Sequence, residues 1–267
     1  MFSIYLNEPQ GSITLGSYDK TLVAHGTEKE GYGIHWFDVV TKDGQWTIKL
    51  EDARYGYLTF LKGSANKATF SSNDEFMYLP QEDFNYLAYQ WDQKSADVEC
   101  TKSYCYVNSS CAEVSHEIGP FKLQFDELAY FSVEPDFYMY DGALFDPAYK
   151  DMCVFGVMAN PDPKVKDTYV LGHSFMRNYL SIFDAKNKRV GLAIHVTSNA
   201  AVRATFSGGI IALLAISVAI LFPLFILGIY FIVMSYKKKR RARERAMRSQ
   251  RENNLMTNLT NNERDRD

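Results

Sequence analysis

Histidine is scarce in this chain and cysteine scarcer, and neither is grouped as metal ligands are. The five histidines are scattered, and the four cysteines stand at 100, 105, 111 and 153. A zinc site needs closely paired Cys or His ligands, so neither a metal nor a cofactor is expected. The nucleophile elbow G-x-S-x-G is also missing. Gly172-His173-Ser174-Phe175 comes nearest, but Met176 stands where the second glycine belongs. No leader is visible, because Met1 runs directly into F-S-I-Y-L-N, which reads as a strand. Finally, no charged residue occurs between Ala204 and Tyr236.

What is present bounds the rest. The 267 residues are 46% hydrophobic and 15% aromatic, enough for one sizeable core and too aromatic for disorder. The net charge of −3 hides an asymmetry. Residues 237–267 hold 11 Lys+Arg against 5 Asp+Glu, and residues 1–236 hold 18 against 27. An acidic body with a basic tail does not suggest nucleic-acid binding by the body, and no nucleic-acid partner is expected. Ile210 to Met234 is almost unbroken apolar sequence, longer than the ~20 residues that cross a bilayer. Pro223 and Gly228 are tolerated in such a helix. The run K-K-K-R-R-A-R-E-R at 237–245 marks its cytoplasmic end and suits anionic lipid headgroups.

The expected order is therefore a folded part at 1–195 and a stalk at 196–207. A transmembrane helix at 208–235 and a basic, disordered tail at 236–267 follow. The lipid bilayer is one partner, and the body is lumenal or extracellular. A late helix is a poor exporter of some two hundred preceding residues, so the reading expects that the true N-terminus lies upstream.

Along the body, alternation predicts strands at Phe2–Leu6, Ile34–Val40, Trp46–Leu50 and Phe121–Phe125. The densest pattern is T-Y-V-L-G-H-S-F-M-R-N-Y-L-S-I-F-D-A-K-N-K-R-V-G-L-A at 168–193. It reads as a short strand ending at Gly172, one or two helical turns over His173–Asn178, and a hairpin turning at Ala185–Lys188. Cys100, Cys105, Cys111 and Cys153 read as two disulfides with three possible connectivities. Asn108-Ser109-Ser110 is a glycosylation sequon between them. Asn258-Leu259-Thr260 also matches but falls on the cytoplasmic side.

The hydrophobic-Gly start, F-x-R-x-Y core, F-D before the turn and final V-G-L-A of 168–193 resemble the end of the second lobe of pepsin-like aspartic proteases. Phe2 to Gly16, Asp19 and the W-x-I-x-L of Trp46–Leu50 resemble earlier parts of the same lobe, so the likeness covers about 190 residues. It implies an all-β fold: one C-terminal lobe of a pepsin-like barrel, followed here by the single transmembrane helix. It also implies a bridge from the 100–111 region to Cys153, and on it rests a pairing of Cys100 with Cys153 and Cys105 with Cys111.

The resemblance places the active-site loop at A-T-F-S-S-N-D-E-F-M-Y-L-P, residues 68–80. Ala68, Phe70, Phe76, Tyr78, Leu79 and Pro80 fit the family frame, and Ser72 fits its Ser/Thr. Ser71 stands where the catalytic Asp belongs, and Asn73 where the Gly belongs. No Asp-Thr-Gly or Asp-Ser-Gly occurs in the chain. The family's chemistry needs two carboxylates sharing one proton, and a serine hydroxyl cannot act as that base. Asp74 is followed by Glu75 and Phe76 and does not restore the motif by a shift of register.

The expectation is a membrane-anchored, catalytically inactive lobe, with no intact catalytic residue, that binds peptides or proteins. One alternative is part of an aspartic endopeptidase completed by an N-terminal lobe. Another is a cell-surface receptor or adhesion module.

Overall fold

Alternating apolar residues bring the strands together edge to edge, and the pairing decides which elements meet. The computed structural model describes residues 1–204, apart from 8–10, 26–32, 96, 128 and 146, together with residue 234. The chain divides into two units after Thr205, and the fold described is that of the first.

One sheet holds five antiparallel strands in the order Ser12–Leu15, Phe2–Tyr5, Tyr179–Asp184, Arg189–Ile194, His35–Asp38. Its centre is the hairpin read from the sequence, with Tyr179 opposite Ile194 and Asp184 opposite Arg189. The Asp184 carboxylate accepts from Asn187 Nδ2 at 2.6 Å and Arg189 Nε at 3.2 Å, which closes the turn. All six residues of Tyr179–Asp184 are buried. Tyr179 and Phe183 enter the main core, whereas Leu180 and Ile182 pack with Tyr5 and Ala193 in a second cluster. Alternation therefore separates two cores and not a core from solvent.

A second sheet is mixed: Val157–Ala159, Met77–Leu79, Thr168–Leu171, Lys67–Phe70, Thr47–Lys49. Lys67–Phe70 and Thr168–Leu171 run parallel, as do Met77–Leu79 and Val157–Ala159. Parallel neighbours require long connections, here the chain from 80 to 156. A third, antiparallel sheet runs Val202–Ala204, Ala129–Val133, Phe121–Gln124, Asp52–Tyr55, Leu58–Thr59. A fourth runs Met139–Asp141, Cys153–Phe155, Cys105–Val107, Val98–Cys100.

Three expectations are refined or corrected. First, the expected β lobe is present, and its mostly β architecture also carries helices. Gln81–Lys94 is a fourteen-residue helix that buries Phe84, Leu87, Ala88 and Trp91 along one stripe. Their spacing of three and four is the helical one. Trp91 lies edge-on to Phe155 at 4.9 Å and stacks on Tyr138 at 5.9 Å. Burying each such ring contributes roughly 1.5–3 kcal/mol. A shorter helix, Cys111–Ile118, starts where Ser110 N–H donates to Glu113 Oε2 at 3.3 Å.

Second, the disulfides are Cys100–Cys105 and Cys111–Cys153, not Cys100–Cys153 and Cys105–Cys111. The hairpin register puts Cys105 directly opposite Cys100, with their Cα atoms 4.0 Å apart. That leaves Cys111, at the start of its helix, for Cys153. The expected bridge from this region to Cys153 is present, made by a different cysteine.

Third, part of the expected stalk is sheet. Val202–Ala204 pairs with Ala129–Val133, and Ala200 and Val202 are buried. The folded unit thus runs past residue 195. Apart from Met234, the expected transmembrane helix at 208–235 and the tail at 236–267 lie outside the described residues, as does Asn258. Among the described residues no helix is long and apolar enough to cross a membrane.

Candidate active-site loop

The strand Lys67–Phe70 delivers the chain into the loop 71–76. Its parallel partner ends beside it, with Leu171 opposite Phe70. Ser71 N–H donates to the Leu171 carbonyl at 3.0 Å, so the loop begins at the sheet's own register. After Gly172 the short helix His173–Met176 starts. Its first amides donate back into the loop, His173 N to Asp74 O at 2.9 Å and Ser174 N to Glu75 O at 3.1 Å. These are helix-start donors that would otherwise lack partners. A Cβ on Gly172 would lie 2.2 Å from the Phe76 carbonyl oxygen and 2.5 Å from that of Asp74. Glycine is required here by close approach of two backbones.

Buried polar groups hold the loop from below. The Ser174 hydroxyl, fully buried, donates to Gly156 O at 2.7 Å. Tyr140 Oη is 3.1 Å from Ser174 Oγ and 3.3 Å from Glu75 O. Burial pushes the Tyr140 hydroxyl above its ordinary pKa, so it remains a donor. Met77 N–H donates to Gly156 O at 2.9 Å, which ties the far end of the loop to the neighbouring strand. The Phe76 ring stacks on Phe145 at 4.8 Å and meets Tyr140 edge-on at 5.4 Å.

His173 closes the loop from above. Its Nε2 is 2.9 Å from the Ser72 carbonyl oxygen and its Nδ1 is 3.2 Å from Glu75 Oε2. Both partners are acceptors, so the neutral ring donates to one and the protonated ring to both.

Ser71, Ser72 and Asn73 thus stand together at the apex, with Ser71 half-buried and Ser72 and Asn73 exposed. Their side chains make no hydrogen bond to another described residue. The loop's acidic groups are Asp74, half-buried, and Glu75, exposed and facing His173. The charge of Asp74, after burial, helps push the Tyr78 hydroxyl upward. A hydroxyl at position 71 offers hydrogen bonding without negative charge. That suits contact with a peptide backbone and not removal of a proton from water.

The other expected site residues fall elsewhere. Asn108 is exposed, with its Nδ2 3.1 Å from Glu99 Oε1. Among the described residues no group of three or more His, Cys, Asp or Glu is placed to hold a metal.

Two residues that sequence reasoning passed over matter to the site's support. His173 was visible only as part of a failed elbow. Asp83 is fully buried and accepts from the Lys62 and Gly63 amides, both at 2.7 Å, and from Tyr169 Oη at 3.0 Å. Its place in a helix's first turn was legible; its partner Tyr169, on the strand leading to Gly172, was not.

Comparisons with known proteins bear on the family. The eukaryotic aspartyl protease family model matches residues 1–195. Plasmepsin VIII of Plasmodium berghei is 26% identical over 204 residues, 72% of this chain and 50% of that protein. Cathepsin E of Rattus norvegicus is 26% identical over 199 residues, 72% of this chain and 45% of that protein. The aspartic proteinase sxa1 of Schizosaccharomyces pombe is 22% identical over 216 residues, 74% of this chain and 36% of that protein. The chain spans half or less of the length of these relatives.

Proposed function

The chain belongs to the eukaryotic aspartyl protease family, and from that premise we propose that it is a membrane-anchored, catalytically inactive C-terminal lobe that binds peptides or proteins. The observation that carries the proposal is Ser71. Its amide is hydrogen-bonded to the end of the parallel strand just after Phe70, and the resemblance of residues 68–80 to the family's loop is what assigns this position to an Asp. Neither loop carboxylate replaces it. Glu75 faces His173, and Asp74 is followed by Glu75 and Phe76, not by the Ser/Thr and Gly of the family's loop. The free Ser71, Ser72 and Asn73 side chains then serve as hydrogen-bonding groups for a bound peptide.

The remaining parts of the reading follow the sequence. Residues 208–235 cross the bilayer, and the basic run after them stays in the cytoplasm. The lobe is lumenal or extracellular, which suits its two disulfides and glycosylation at Asn108.

A second reading is part of an endopeptidase completed by an N-terminal lobe, and one observation favours it. The strand Ser12–Leu15 lies at the edge of the first sheet with Ile13 and Leu15, 68% and 80% exposed, unburied. An apolar edge strand calls for a partner.

The test is an acid-pH peptide-cleavage assay with an aspartic-protease inhibitor as control, on the native chain and on Ser71→Asp with Asn73→Gly, each with and without any upstream lobe from the complete transcript. No cleavage by the native sequence is expected. Activity gained by the double substitution would locate the loss in this loop. Inhibitor-sensitive cleavage by the native sequence would overturn the inactive reading.

A further inference from the structure

The strand Cys105–Val107 ends just before the sequon Asn108-Ser109-Ser110. Successive side chains on a strand point to opposite faces. Cys105 and Val107 are buried, so Tyr106, half-buried, and Asn108, exposed, share the outer face. Glu99 lies directly across the hairpin from Tyr106, and its carboxylate joins the two. Tyr106 Oη donates to Glu99 Oε2 at 2.5 Å, and Asn108 Nδ2 donates to Glu99 Oε1 at 3.1 Å. Tyr104 extends the aromatic surface, its ring centred 6.2 Å from that of Tyr106. The Cys100–Cys105 disulfide crosses the same hairpin, so the platform is held on both strands.

We propose that the Tyr106 ring is the packing site for the first sugar of an N-linked glycan on Asn108, a role that rests on the reading of Asn108 as glycosylated. Transfer from a diphosphate-linked oligosaccharide forms the bond from sugar C1 to Nδ2. It breaks the bond from C1 to the diphosphate oxygen, and the amide gives up one proton. The second N–H remains, which is enough to keep the bond to Glu99.

The sugar therefore starts beside the ring whose hydroxyl the same carboxylate holds. One face of a pyranose is lined with C–H bonds, and their partial positive charge matches the negative face of an aromatic ring. The tether selects the occupant, because a glycan on Asn108 is delivered covalently to this face. Packed there, the sugar stabilises the hairpin 98–107. The proposal is independent of whether the 71–76 loop cleaves or binds peptide.

The full 267-residue chain, made behind a cleavable leader in a eukaryotic secretory host, tests it. Glycopeptide mass spectrometry first reads whether Asn108 carries a glycan. Chain trimmed enzymatically to a single N-acetylglucosamine is then compared, by thermal unfolding, with chain made under tunicamycin, whose Asn108 is bare. The single sugar should raise Tm by about 1–4 °C. Tyr106→Phe, which keeps the ring and loses the hydroxyl, should retain that increment. Tyr106→Leu and Tyr106→Ala should lose it, whatever each does to the bare chain. No glycan at Asn108 would overturn the glycosylation reading and this role with it. A glycan that gives no increment, or one whose increment survives in Tyr106→Leu and Tyr106→Ala, would overturn the packing on Tyr106 and leave glycosylation standing.

Discussion

Replacing Asp83 by alanine should unfold this lobe more readily than any exposed acidic substitution, although the residue belongs to no motif. Its carboxylate satisfies three donors at once: the Lys62 and Gly63 amides and the Tyr169 hydroxyl. Tyr169 is fully buried, and burial together with the Asp83 charge holds its hydroxyl well above the ordinary value, so it remains a donor. Removing the carboxylate orphans that hydroxyl completely, at about 1–3 kcal/mol. The two amides lie in a turn that water can partly reach, so they add less than two further full penalties. The expected loss is about 3–5 kcal/mol. For a folded unit of this size that lowers Tm by about 6–20 °C.

Tyr169→Phe removes one bond and leaves the carboxylate two others, so it should cost only about 1 kcal/mol. The double substitution should cost less than the sum, with a coupling of about 1–2 kcal/mol. Thermal unfolding followed by tryptophan fluorescence reads all three, because Trp91 is buried on the same helix as Asp83. A Tm for Asp83→Ala no lower than that of the exposed control Asp92→Ala would refute the reasoning, as would strict additivity with Tyr169→Phe.

Other outcomes follow from the same structure. Non-reducing peptide mapping should recover Cys100–Cys105 and Cys111–Cys153. Removing the second bridge, which closes the longer loop, should cost about 4 kcal/mol against about 2 for the first. Gly172→Ala forces a methyl onto the Phe76 and Asp74 carbonyls. It should destabilise by about 1–3 kcal/mol and displace the 71–76 loop, seen as altered amide exchange there. Burial lowers the His195 imidazole pKa against the opposing effect of its hydrogen bond to the Arg177 carbonyl. As pH falls below its usual value of 6.5 the unfolded chain takes up this proton first, so stability should drop with acidification. His195→Gln should flatten that dependence in Tm measured between about pH 7 and pH 5; an unchanged slope would remove His195 as its source. Under the proposed topology, secreted expression should give a glycosidase-sensitive mass shift that Asn108→Gln abolishes.

How much of this was legible in the residues varies with the range of the interactions involved. The hairpin Tyr179–Ile194 was readable because alternation, a polar turn and Asp184 beside it are all local. The landmarks around Ser71 and Gly172 were readable one by one, and their likeness to a known family brought them into one site. The helix Gln81–Lys94 carried its signal too, with Phe84, Leu87, Ala88 and Trp91 at helical spacing behind Pro80, but a reading tuned to strands passed over it.

What the sequence by itself determined is the family, the strand-rich architecture, the loop at 71–73 and the absence of a carboxylate there. Those depend on residue identity and near-neighbour order. Only the tertiary structure decided the partners. Cys105 faces Cys100 because of strand register, which leaves Cys111 for Cys153. Asp83 meets Tyr169, and His173 spans Ser72 and Glu75. Each of these depends on a register or packing angle set by contacts from distant parts of the chain. Such geometry leaves no periodic trace in the sequence, because the partners are neighbours only once the sheets have formed.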